Sequence, residues 1–197
     1  MGESKSSTES ITDIVKSRWF PYLLVLIFIL SIANFVVNTL LPALRLDSYD
    51  FNVYYDYSRY ENPKFFDTGQ PRFVYLPLWA VIFKPFTLFS ISTAKNIWII
   101  TNALLLALFI HIGQKWCRKM SPPIHPFFYP TLITFLVLTF TPVSLTINYG
   151  QINIVIVLLL FYSFYAFQER KLFLSGIALA LAISTRYTPV IFLLYWL

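Results

Sequence analysis

A chain of 197 residues in which 57% are apolar and only 12% charged has about half the charged share of an ordinary soluble domain, which excludes a soluble globular class. The net charge of +6 does not indicate nucleic acid, because the basic residues sit in small clusters between apolar runs and form no stripe interleaved with exposed aromatics. Clusters of that kind are the positive-inside bias of a membrane protein, and the single cysteine, Cys117, excludes an intramolecular disulfide or a Cys-x-x-Cys metal or redox pair.

Residues 1–18 are polar, with SKSSTES near their middle, and predict a disordered cytoplasmic tail ending in Lys16 and Arg18. No charge occurs from Trp19 to Leu44. That run exceeds the ~20 residues needed to cross ~30 Å of hydrocarbon, and it is longer than a signal peptide's apolar region. It predicts an uncleaved first span, with Asn34 and Asn38, one turn apart, facing neighbouring helices.

Residues 45–72 are the one substantial polar loop and hold five of the nine acidic residues. The next stretch, 73–90, is apolar but interrupted by Pro77, Lys84 and Pro85. The uncharged residues between Arg72 and Lys84 make ~16 Å of helix, which predicts a re-entrant or interfacial helix, with a kinked span as the alternative. Asn96–Gln114 reads as a second full span, closed by Lys115, Arg118 and Lys119. Met120–Gln168 carries no formal charge and is long enough for two spans, with a break at NYGQIN, 148–153, where Gly150 supplies a turn. Glu169, Arg170 and Lys171 close that hairpin, and a fifth span begins at Leu172, interrupted by Arg186 and Pro189. The apolar run Val190–Leu197 has no polar flank, which predicts that the transmembrane module of 19–197 is the N-terminal part of a longer protein.

Placing Lys16/Arg18, Lys115/Arg118/Lys119 and Arg170/Lys171 in the cytoplasm orients the bundle. If 73–90 does not cross, loop 45–72, the NYGQIN turn and Arg186 share the extracytoplasmic side; if it does cross, the later clusters change sides. The expectation is an all-α, polytopic helical bundle with its N-terminus inside.

Three segments on that far side could carry chemistry. If 47–57 opens as a helix, Asp47, Asp50 and Tyr54 share a face at i, i+3 and i+7. Carboxylates near a membrane surface suit general-base work, and the alternative is a solvated acidic loop. Gln151 and Asn153 supply amides where a helix begins, a setting for a polar headgroup or a simple hairpin turn. Only ~21 Å of helix separates Lys171 from Arg186, so Arg186 falls short of the far interface and calls for an anionic partner such as a lipid phosphate, or else snorkels. His111 and His125 share no metal-ligand spacing, and Walker A, GxGxxG and GxSxG patterns are absent. Nothing supports nucleotide binding or serine hydrolysis.

The order Asp50-Phe51 with Tyr54-Tyr55, Phe73-Val74-Tyr75-Leu76-Pro77-Leu78, Gly150-Gln151-Ile152-Asn153 and Thr185-Arg186-Tyr187-Thr188-Pro189 resembles glycosyltransferase family 87. These are GT-C-fold membrane mannosyltransferases that use polyprenyl-phosphate sugars. The resemblance covers about residues 20–197, roughly the first half of such a protein. Two positions depart from it: the family has Tyr-Pro-Pro at Tyr75-Leu76-Pro77, and Lys at Arg186. The resemblance implies that Asp50 is the catalytic base of an inverting transfer, with Asp47 and Asp56 in reserve. It implies that Arg186 and Gln151 offset the departing phosphate. Asp47, Tyr54, Tyr55, Tyr75 and Asn153 would border the substrates. The donor would be a polyprenyl-phosphate sugar, the acceptor a glycolipid or glycan, and no cofactor is called for. A transporter or flippase of lipid-linked sugars and a non-catalytic membrane scaffold are the competing classes.

Overall fold

The computed structural model describes residues 17–59, 77–120, 125–186 and 189, and those residues form helices and their connections. Residues 1–16 of the expected 1–18 tail, the polar loop from 60 onward and the apolar run from 190 lie outside them.

Helix α1, Phe20–Arg45, runs for 26 residues, about 39 Å at 1.5 Å per residue. It widens into a π-turn over Val36–Leu40. The cause is Pro42, which has no N–H and whose ring would strike the carbonyl four residues back in a regular helix. Among the described residues Asn34 and Asn38 face no neighbouring helix: they are exposed, and Asn38 donates to Asn34 at 2.8 Å. Thr39 makes the interhelical contact instead, to Ser144 at 2.9 Å.

Helix α2 is Tyr49–Arg59, and α3 is Pro77–Phe83 continued by a 3₁₀ turn over Lys84–Leu88. The apolar part of α3, Trp79–Leu88, is about 15 Å long, half of a hydrocarbon core. Helix α4, Ile91–Met120, has 30 residues, longer than the ~20 that a crossing needs. The uncharged stretch that follows is three helices: α5 (Phe128–Thr139), α6 (Thr141–Tyr149) and α7 (Asn153–Gln168). Between α5 and α6 the axis bends by 58°, because Pro142 stands in the first turn of α6 and Phe140 is extended. That break is absent from the hydropathy. Helix α8 is Leu172–Thr185.

Among the described residues two helices, α1 and α4, are long and apolar enough to cross a membrane, and a third results if α5 and α6 count as one bent span. Against the five spans expected, α7 and α8 are shorter apolar helices that pack as an antiparallel pair. Ser163 and Ser175 lock them, each hydroxyl donating to the other's backbone carbonyl at 2.9 Å, and small residues there let the backbones approach closely. The bundle is lipid-adapted: Leu26, Leu30, Leu104 and Phe173 are exposed while Ser31, Asn102, Thr131 and Ser163 are buried.

The bundle has two chemically distinct ends. At one, Phe20 meets His125 edge-on, Arg118 donates to the Pro126 carbonyl at 3.3 Å, and Lys119 pairs with Glu169 at 2.8 Å. The hydrogen bond from Lys119 holds the Glu169 carboxyl below its ordinary range. Arg18, Lys115, Arg170 and Lys171 flank these contacts in sequence. The opposite end gathers the end of α1, the start of α2, the start of α4 and the α6–α7 turn. An aromatic core of Phe51, Tyr54, Trp79, Phe83, Phe86 and Trp98 fastens them, with Phe83 and Trp98 4.7 Å apart between ring centroids.

Candidate active site

The site end is held by a lysine within the first turns of α4. Lys95 is buried, and its ammonium donates to the Leu44 carbonyl at 3.2 Å and the Leu46 carbonyl at 2.5 Å. The last carbonyls of a helix have no intrahelical donor and carry partial negative charge, so a cation closes the end of α1. Ser48 then donates to the Asn148 carbonyl at 3.0 Å, pinning the α1–α2 link to the end of α6.

Helix α2 forms because Phe51, Tyr54, Tyr55 and Ser58 make a buried stripe at helical spacing. Asp50 occupies its first turn, where the helix dipole favours a carboxylate. Asp47 precedes the helix and is exposed, as is Asp56, so the expected shared face of Asp47, Asp50 and Tyr54 does not form. Tyr54 is turned into the aromatic core. Tyr55 is buried there too, with its hydroxyl donating to the Phe89 carbonyl at 2.8 Å. Tyr75 lies outside the described residues.

Facing Asp50 is the α6–α7 turn. Gly150 adopts φ +66°, and a Cβ built on it would come within 2.8 Å of the Phe51 Cβ. Glycine takes that left-handed conformation without strain, and only a residue without a Cβ fits that closely against Phe51. The Trp98 indole donates to the Gly150 carbonyl at 2.7 Å and fixes the turn. Gln151 therefore projects onto α2, where its Nε2 donates to Asp50 Oδ2 at 2.6 Å. Asn153, the first residue of α7, donates through Nδ2 to Gln151 Oε1 at 2.5 Å. Arg186 Nη1 donates to Asn153 Oδ1 at 3.0 Å. Asp50, Gln151, Asn153 and Arg186 thus form one continuous hydrogen-bonded chain. Arg186 reaches it because α8 stops at Thr185 and the backbone becomes extended, while Trp79 Nε1 holds the Thr185 hydroxyl at 3.0 Å.

An apolar groove of about 400 Å³ runs between α4, the α5–α6 bend and α7. Leu106, Phe109, Phe140 and Val157 line it, and Thr146 and Asn153 give it a polar border. Among the described residues no three His, Cys, Asp or Glu side chains converge to hold a metal ion. The arrangement offers a carboxylate steadied through one oxygen, a guanidinium with further donors for an anion, and an apolar channel touching the chain between them.

Sequence reading singled out Asp50, Gln151, Asn153 and Arg186, which come together; it missed Lys95, Trp79, Trp98 and Ser48, which position them. A charge at Lys95 ahead of an otherwise uncharged helical run was the available signal for one of these.

The model of glycosyltransferase family 87 matches residues 73–197, a stretch that contains Gln151, Asn153 and Arg186 but begins after Asp50. A curated relative, the polyprenol-phosphate-mannose-dependent alpha-(1-2)-phosphatidylinositol pentamannoside mannosyltransferase of Mycobacterium tuberculosis (strain CDC 1551 / Oshkosh), is 28% identical over 123 residues, 62% of this chain and 27% of that enzyme. The match therefore takes in about a quarter of the relative's length. No solved structure matches.

Proposed function

The chain belongs to glycosyltransferase family 87, and we propose that it moves a sugar, mannose by analogy with its relative, from a polyprenyl phosphate to an extracytoplasmic glycolipid or glycan acceptor. Asp50 accepts the proton of the acceptor hydroxyl as that oxygen bonds to the anomeric carbon. The bond from that carbon to the phosphate oxygen breaks on the opposite face, configuration inverts, and polyprenyl phosphate leaves. Arg186 offsets the charge that accumulates on the leaving phosphate, a form of stabilisation that is often the largest single contribution to such a rate. The isoprenoid tail lies in the groove bordered by Thr146 and Asn153. This reading calls on no cofactor besides the lipid-linked donor.

One observation carries the reading: Gln151, inside the family-matched stretch, donates at 2.6 Å to Asp50, which lies outside it and 101 residues away in sequence. A carboxylate and a guanidinium at the two ends of one polar chain, next to an apolar groove, suit a lipid phosphate donor and a hydroxyl acceptor. The clustering of Arg118, Lys119 and the Arg170–Lys171 turn at the far end of the bundle supports a multi-pass protein of the cell membrane with that end, and the N-terminus, in the cytoplasm.

The test is sugar transfer from polyprenyl-phosphate mannose in membranes carrying the natural protein and its Asp50→Asn variant. Loss of a positioned base typically lowers the rate ~10²–10⁴-fold. Undiminished transfer by a folded Asp50→Asn variant would remove Asp50 from the chemistry. Movement of the lipid-linked sugar across the bilayer without transfer would favour a flippase.

A further inference from the structure

The four-membered chain has a direction. Arg186 can only donate and an ionised Asp50 can only accept, so both amides between them are forced into one orientation. Asn153 receives from the guanidinium on its oxygen and donates from its nitrogen; Gln151 does the same one step further on. Asn153 Nδ2 also lies 3.5 Å from the Thr146 hydroxyl, which suits either orientation, but turning over either amide would set donor against donor or oxygen against oxygen at both of its contacts within the chain. The two amide dipoles therefore add along the line from cation to carboxylate, and bonds in such a chain polarise one another.

We propose that Asn153 is a positioning residue that acts on the reaction through Gln151 and Asp50, and is not a contact for the sugar or the phosphate. The inference rests on Asp50 being the base. The relay engages Oδ2 of the carboxylate and so assigns proton uptake to Oδ1, because a lone pair of Oδ2 is already held by the Gln151 N–H, which makes Oδ2 the less basic oxygen. It also ties the charge of the leaving-group cation to the base, so the two ends of the displacement are set by one structure.

Asn153→Asp separates this role from simpler ones. The variant is isosteric and keeps an oxygen for Arg186, but it cannot donate to Gln151. Transfer is measured in membranes carrying the natural protein, with polyprenyl-phosphate mannose as donor. The relay predicts that kcat falls about tenfold, the scale of one lost bond to a charged network, while the donor KM stays within about twofold. In an Asp50→Asn background the same change should add no further loss, because residues acting through one another are non-additive. A raised donor KM with unchanged kcat, wild-type transfer, or losses that multiply with those of Asp50→Asn would each overturn the relay. An Asp50→Asn variant as active as the parent would instead overturn the base itself, so the two failures are distinguishable. Detergent-solubilised gel filtration reports folding. If Asn153→Asp does not fold, Gln151→Glu carries the same test, since it removes the donor to Asp50 in an isosteric side chain.

Discussion

Trp98 and Gly150 are joined by a 2.7 Å hydrogen bond from the indole to the glycine carbonyl, and this contact sets how closely the α6–α7 turn approaches α2. Since the Gly150 backbone is left-handed and its Cα faces the Phe51 Cβ, Gly150→Ala combines a conformational cost with overpacking. Together these amount to about 2–5 kcal/mol. The expected outcome is a lowered thermal midpoint in detergent and loss of sugar transfer. Trp98→Phe keeps most of the ring packing and should cost less than Gly150→Ala.

Lys95→Met should destabilise by about 1–3 kcal/mol, because two carbonyls at the end of α1 lose a charged donor in a buried setting. The ends of α1 and α4 separate in consequence, and the link bearing Ser48 and Asp50 loosens. Thermal unfolding of the purified protein measures the cost. Lys95→Arg, which retains the charge and the donors, should recover part of it.

Arg186 should obey its charge more than its shape. Removing the cation in Arg186→Gln is expected to lower transfer by about 10²–10³-fold, the range seen when a group stabilising a developing anion is lost. Arg186→Lys preserves a point charge but not the planar fork, and should fall between that variant and the parent. Equal activity of all three would remove Arg186 from phosphate stabilisation.

The sidedness of the bundle can be read by labelling. Asp47 and Arg170 are both exposed and stand at opposite ends. In a Cys117→Ser background, Asp47→Cys should react with a membrane-impermeant maleimide in right-side-out vesicles. Arg170→Cys should react only once the vesicles are inverted. The reverse pattern would place the Asp50 end in the cytoplasm.

Several features of the fold were legible because their causes are local. The long uncharged run before Arg45 had to be a helix in lipid, since every backbone group in hydrocarbon needs an internal partner. Gly150 announced a turn, and the interruption expected at Arg186 is where α8 ends, at Thr185. The bend at Phe140 was missed because an apolar run shows no polarity change where Pro142 breaks it. Tyr54 looked like a companion of Asp50, but α2 begins at Tyr49 and turns that ring inward.

By itself, the sequence determined the class of the protein: an all-α bundle in a membrane, with a polar loop and a few polar residues that such a bundle cannot leave in lipid. That much follows from transfer free energies, which accumulate residue by residue along the chain. The tertiary structure alone decided that Gln151 reaches Asp50 101 residues away, that Lys95 closes α1, and that Arg186 completes the polar chain through Asn153. Such contacts depend on the relative placement of helices, which is set by aromatic packing and one left-handed glycine and leaves no trace in local hydropathy.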